Sequence, residues 1–202
     1  MSEWLVLQNV ALASLLAWAS GIRLYLAMFA VGLAGHLGYV ELPAGLKVLQ
    51  NPWVIGTAGF MLLVEFLVDK VPALDSAWDA IHTFIRIPAG ALLAAGATGD
   101  TLSALTVAAG LLGGTITAGT HLTKAGGRAL INTTPEPFTN WGASFTEDAL
   151  VLGGIWFAFN HPYAFLGALA VFIAVMIWLL PKLWRGIRAV FRVFRRSSTV
   201  TR

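Results

Sequence analysis

WLVLQNVALASLLAWASGIRLYLAMFAVGLAGHL, Trp4 to Leu37, is the stretch whose reading decides the fold. As one straight helix it would be about 50 Å long, well beyond the roughly 30 Å hydrocarbon core of a bilayer. It must therefore break, tilt or re-enter. The expected break is Ser20-Gly21, which divides it into Trp4 to Ala19 and Ile22 to Leu37. Arg23 follows at once: inside the membrane it would form an anion-attracting point beside freed backbone groups, and at the interface it would only snorkel.

Working outward, the 202-residue chain is 57% apolar and 11% charged, and this excludes most soluble classes. It contains no cysteine, hence no disulfide framework and no thiolate metal site. Five further segments are expected: Pro52 to Lys70, His82 to Ala97, Thr101 to His121, about Glu147 to Phe159, and Pro162 to near Pro181. The fold class is therefore an all-α integral membrane protein of six to seven membrane segments, some short or discontinuous. Residues 1–181 form the membrane domain and 182–202 a basic amphipathic cytosolic tail.

Seven of thirteen basic residues follow Pro181: Lys182, Arg185, Arg188, Arg192, Arg195, Arg196 and Arg202. Trp184, Ile187, Val190, Phe191 and Phe194 would give that tail one apolar side for resting on anionic lipid. The expected partners are membrane lipids and, in a homo-oligomer, a second copy; nucleic acid is not expected. Placing the tail in the cytosol also puts Lys124, Arg128 and the Val71 to Ile81 connection there, leaving Lys47 outside. This suits a multi-pass protein of a bacterial cytoplasmic membrane.

Ser20-Gly21-Ile22 with Gly32 and Gly35 is echoed by Thr98-Gly99-Asp100 with Gly110 and Gly113. In the expected topology the copies run in opposite directions, which brings in the inverted repeat of many transporters.

The polar residues supply the chemistry. Asp75, Asp79, His82 and Arg86, at spacings of four, three and four, share one helical face. Glu65 and Arg86 should lie at similar depth in a hairpin and form a structural ion pair. His121, Lys124 and Arg128 form a second face able to hold a phosphate, carboxylate or headgroup. With Asp69 these residues would line a mixed-charge cytosolic vestibule, Arg23 adding a further cation. His82 beside Asp79 could exchange a proton near neutral pH. Glu147 and Asp148 read as first-turn acids of their helix.

Ser20-Gly21-Ile22-Arg23-Leu24-Tyr25, Asn51-Pro52-Trp53, Glu65 through Lys70 with Pro72 and Asp75, and Trp78-Asp79 through His82, Arg86, Pro88 and Gly90 carry a resemblance. Over roughly residues 14–130 the chain resembles a family of small bacterial polytopic membrane proteins grouped as a domain of unknown function. The resemblance implies the membrane class and brings no activity, substrate or cofactor. Glu65 to Lys70 is also similar to the Glu-x-Gly-Asp-Lys motif of cation/proton exchangers. One inserted residue and the missing glycine separate the two, so that family's ion site is not carried over.

The leading expectation is a secondary transporter or channel for a small polar or ionic solute. The alternatives are an enzyme or binder for a phosphorylated lipid, with Asp75 and Asp79 on Mg²⁺, and a structural or assembly protein. The metal and cofactor requirement is left open by the sequence.

Overall fold

The protein is described by a computed structural model covering residues 3–99, 103–133 and 137–197, with side chains as far as Arg188. Six helices follow one another: α1 (Glu3–His36), α2 (Pro52–Val68), α3 (Pro72–Gly96), α4 (Ala104–Ile131), α5 (Pro137–Asn160) and α6 (Pro162–Ser197). A short 3-10 turn, Ala44–Gln50, precedes α2. Local chemistry sets several helix starts. Asn51 accepts from the Trp53 amide at 2.9 Å with Pro52 in the first turn, and Ser103 accepts from the Thr106 amide at 3.2 Å.

The long apolar stretch does break, but at Arg23 rather than Ser20-Gly21. Arg23 has φ −143° and ψ 76° within an otherwise helical run. In a straight helix Gln8 and Ala34 would stand about 39 Å apart. Here both line one cavity of about 690 Å³, so the chain folds back and Arg23 marks the tip of a helical hairpin. The first arm packs on α3, α4 and α5; the second lies against α2 and the 3-10 turn.

Close packing holds the arms. A Cβ on Gly21 would meet Thr120 Cβ at 2.6 Å and Thr117 O at 2.7 Å, so α1 and α4 touch where only hydrogen fits. A Cβ on Gly154 of α5 would stand 2.5 Å from the Trp18 ring, which also meets Phe165 and Phe172 of α6 edge-on. Leu12, Leu15, Leu16, Leu26 and Val31 are buried between the arms and their neighbours. The outward face is apolar in turn: Trp53 is 85% and Phe84 82% exposed, as surfaces bathed in lipid are.

The expected count of six to seven membrane segments is corrected. Among the described residues, three helices are long and apolar enough to cross a membrane: α1, α4 and the Pro162–Arg188 part of α6. The total is four if the 3-10 turn and α2, bent by 68°, count as one span. The physical reasons are particular. The two expected N-terminal segments belong to one broken helix. Asp75, Asp79, His82 and Arg86 dilute the apolar character of α3, as Asn140, Glu147 and Asp148 do that of α5. The result is an all-helical, multi-pass membrane protein that contacts lipid over its apolar exterior.

Other boundaries shift as well. α4 runs past the expected end at His121 to Ile131, so Lys124 and Arg128 continue the helical face of His121, and α5 starts ten residues before Glu147. The two echoing stretches differ in setting: Ser20-Gly21 is buried inside α1, while Gly99, at φ +79°, turns the chain after α3. The rest of the second copy, Asp100 to Leu102, lies outside the described residues. α6 continues through Pro181, and Lys182 and Arg188 sit over the Trp178 and Trp184 rings. Val190, Phe191 and Phe194, expected on the apolar side of the tail, fall beyond the described side chains.

Candidate functional site

The break in α1 creates the site. A helix interrupted at Arg23 leaves the last carbonyls of its first arm without the amides that would continue the ladder, and inside a membrane water does not replace them. Cations do so here. Arg86 Nη1 donates to Ile22 O at 2.9 Å and Gly21 O at 3.4 Å, and Lys124 Nζ donates to Ile22 O at 3.0 Å. Positive side chains at a helix C-terminus also complement its dipole. One turn earlier, Thr117 Oγ1 reaches Ala17 O at 2.7 Å, sharing its proton with Gly113 O of its own helix.

Carboxylates from α2, α3 and α5 surround these cations. The buried Arg23 guanidinium bonds to Asp69, donates to Ser144 Oγ at 2.6 Å and Ser144 O at 3.1 Å, and turns Nε toward Asp148 at 2.9 Å. Arg86 Nη2 bonds to Glu65 and stands 3.6 Å from Asp79. Lys124 lies 3.3 Å from Glu147 and 3.7 Å from both Glu65 and Asp79. Arg128 grips Glu147 through two bonds of 2.8 and 3.2 Å, donates to Asn140 O at 3.1 Å, and reaches Asp69 at 3.4 Å and Asp75 at 3.9 Å. Such planar, two-pronged pairing is specific to arginine.

Six carboxylates thus share four fixed cations, and Glu65, Asp69, Asp75 and Asp79 are all buried. Several oxygens meet no hydrogen-bond donor: Glu65 Oε2, Asp69 Oδ1, Asp75 Oδ1 and both of Asp79. Asp75, in the first turn of α3 and outside the candidate spans, is held by the Asn132 amide at 2.8 Å. Burial pushes its carboxyl up to about 6, against the opposing pull of that hydrogen bond and of Arg128.

Among the described residues, neither histidine ring bonds a carboxylate. His82 stacks on Trp78 with ring centroids 3.9 Å apart; its Nδ1 lies 2.9 Å from Trp78 O and its Nε2 3.1 Å from Tyr25 Oη. His121 Nε2 meets Thr83 Oγ1 at 2.8 Å, and its Nδ1 is buried without a partner. A cavity of about 150 Å³ opens here, lined by Ser76, Asp79, Thr83, His121 and Arg128. Among the described residues, no three acidic or imidazole groups converge in a metal-binding arrangement, including around Asp75 and Asp79.

Arg23, Glu65, Asp69, Asp75, Asp79, Arg86, Lys124 and Arg128 therefore meet in one network, with His121 at its edge and His82 beside it. Arg23 is an inward tip, where a snorkelling residue had been the competing expectation. Sequence reasoning expected a helix over part of α5 but missed its share in the network: Asn140, Ser144, Glu147 and Asp148 all point there, the acids from mid-helix rather than a first turn. Their spacings of four and three were a visible signal of a single polar face. Tyr25, Thr83 and Thr117 were missed too, and as single hydroxyls in apolar runs they carried no comparable signal.

No curated protein and no solved structure matches the chain. A family model does match, over residues 10–182, which takes in the hairpin, the whole charge network and most of α6. The protein accordingly belongs to the family described as a domain of unknown function, DUF4126.

Proposed function

We propose that this protein moves a small polar or ionic solute across the membrane, as a secondary transporter or channel, with the network around Arg23 as the gated part of the pathway. The observation that carries the reading is the broken helix whose tip is buried among ionisable groups from four other helices. Intramembrane charge and interrupted helices are costly, and both recur where ions or solutes cross. A structural scaffold could stabilise its helices with apolar contacts alone.

Two cavities support the reading. One, of about 690 Å³, is lined at its polar margin by Gln8, Asn9, Glu41 and Asn160, at the end of the hairpin away from Arg23. The other is the 150 Å³ opening beside Asp79 and His121. Leu16, Ala19 and Ile22, all buried, fill the first arm between them. A pathway closed at its centre and open toward each end is what alternating access requires. In this reading the Asp79 side faces the cytosol, and Lys182, Arg185 and Arg188 rest on anionic lipid there.

The absence of native cysteine makes the test direct. Single cysteines replacing Gln8 and Thr83, in reconstituted vesicles, should react with membrane-impermeant thiol reagents from opposite sides. The same vesicles, given concentration jumps of alkali, ammonium and small carboxylate salts, should show a transient current that Arg23→Gln removes. Labelling of both positions from one side only, or no current from any of these probes in folded protein, would overturn the reading.

A further inference from the structure

We propose that Asp75 is a proton-binding site whose proton is the coupling ion of this protein. The inference rests on the transport reading for the word coupling, while the site itself rests on geometry.

The first step is charge balance. Six carboxylates face four cations in direct contact, and Lys70 adds a fifth at longer range beside Asp69 and Asp148, so negative charge still exceeds positive by one in a region largely closed to water, where uncompensated charge is strongly disfavoured. Neither histidine supplies the balance by direct contact, because His82 bonds Trp78 O and Tyr25 Oη, and His121 bonds Thr83. No metal-binding convergence exists among the described residues. Protons on the carboxylates supply the missing positive charge without any further ligand.

The second step is to find which carboxylate holds one. Glu147 and Asp148 are 13% and 22% exposed at their side chains and keep some solvent. Of the four buried acids, Glu65 bonds Arg86, and Asp69 bonds Arg23 with Arg128 at 3.4 Å. Asp79 lies within 3.7 Å of both Arg86 and Lys124. Among the described residues Asp75 has one cation within 4 Å, Arg128 at 3.9 Å, and that guanidinium is already held by both oxygens of Glu147. Its other neighbours are the neutral Asn132 amide and the like charges of Asp79, one turn along α3, and Asp69 at the end of α2. Asp75 Oδ1 is buried and meets no donor, so it is the free lone pair to which a proton adds. The upward displacement of its titration by burial agrees with this placement.

The third step is access. Asn132 Nδ2 bridges Asp75 Oδ2 at 2.8 Å to Ser76 Oγ at 2.9 Å, and Ser76 lines the cavity that also holds Asp79 and His121. That cavity sets the polar groups of Ser76, Asp79, Thr83, His121 and Arg128 in a wall otherwise made of Ala80, Leu122, Ala125 and Ala129, and at about 150 Å³ it has room for waters bonded to those groups, at roughly 30 Å³ each. The chemical step is one protonation: a solvent proton binds Oδ1, the carboxylate becomes a neutral acid, and no other bond changes. Neutralising Asp75 frees Arg128 for its remaining partners on α5 and α2, which links proton occupancy to helix contacts.

Infrared difference spectroscopy of the full chain in lipid nanodiscs tests this. The expected result is a carbonyl stretch of a protonated carboxylic acid that disappears as pH rises through about 6 and is absent in Asp75→Asn. Asp75→Glu should shift the band and keep its titration, and it carries the assignment where Asp75→Asn gives no monodisperse protein. No titrating band, or a band unaltered in both variants, overturns the site. A band lost in Asp75→Asn in a protein that moves no probe solute retains the site and removes only the transport reading. Probe currents indifferent to pH and intact in Asp75→Asn overturn the coupling role.

Discussion

The tip and the arms of the α1 hairpin solve the same backbone problem by different means. Along the arms each carbonyl finds an amide one turn ahead, and buried Leu12, Leu15, Leu26 and Val31 supply the contacts. At the tip the ladder stops, and Arg86 and Lys124 take over Gly21 O and Ile22 O. The arms need only shape and apolar volume, which many side chains offer. The tip needs donors of fixed number and direction, so its residues are far less replaceable. Specific side chains gather where the regular backbone fails.

The sharpest way to break the comparison is at Arg86. Arg86→Ala leaves Glu65 buried without its principal partner and Ile22 O without one of its two donors, and should destabilise the protein by about 3–5 kcal/mol. Thermal unfolding in nanodiscs reads this. A loss equal to that of a single arm truncation of similar size would remove the distinction between tip and arm.

Overpacking in the arms should cost less. Gly154→Val drives a branched side chain against the Trp18 ring and should cost about 1–3 kcal/mol, measured the same way, leaving the charge network in place.

A further effect, confined to a window of pH, sharpens the tip itself. The folded Asp75 carboxyl titrates near 6, above its ordinary value of 3.8, so the folded state binds the proton more tightly than the unfolded chain. Its contribution to stability is full below the ordinary value and is lost as pH rises through about 6. The melting temperature should therefore fall over that window in the parent chain, and the fall should shrink in Asp75→Asn. A fall of equal size in both would place the titration elsewhere.

Much of the site could be read before any coordinates. The spacing of Asp75, Asp79, His82 and Arg86 put them on one face, and the run from Trp4 to Leu37 was too long to remain straight. The hydropathy of α3 and α5 was harder to judge. Their polar residues turn inward, whereas a count of apolar residues along a line treats inward and outward positions alike. The acids of α5 were read as first-turn residues because the helix start was placed at Glu147, ten residues late. His82 was read beside Asp79 from a three-residue spacing, yet its ring turns to Trp78 and Tyr25.

What the sequence determined by itself was the solvent and the necessity of a break. A chain so apolar partitions into lipid, and helix rise against bilayer thickness is arithmetic that needs no fold. Tertiary structure decided where the break falls and what answers it. Serine and glycine marked Ser20-Gly21 as the weak point locally, but close contact with Thr117 and Thr120 keeps that turn helical and passes the break to Arg23. Whether an arginine snorkels or turns inward depends on partners 42 to 125 residues away, at Glu65, Asp69, Ser144, Glu147 and Asp148. Local propensity carries no record of such long-range charge pairing; only the packed helices bring the groups within reach.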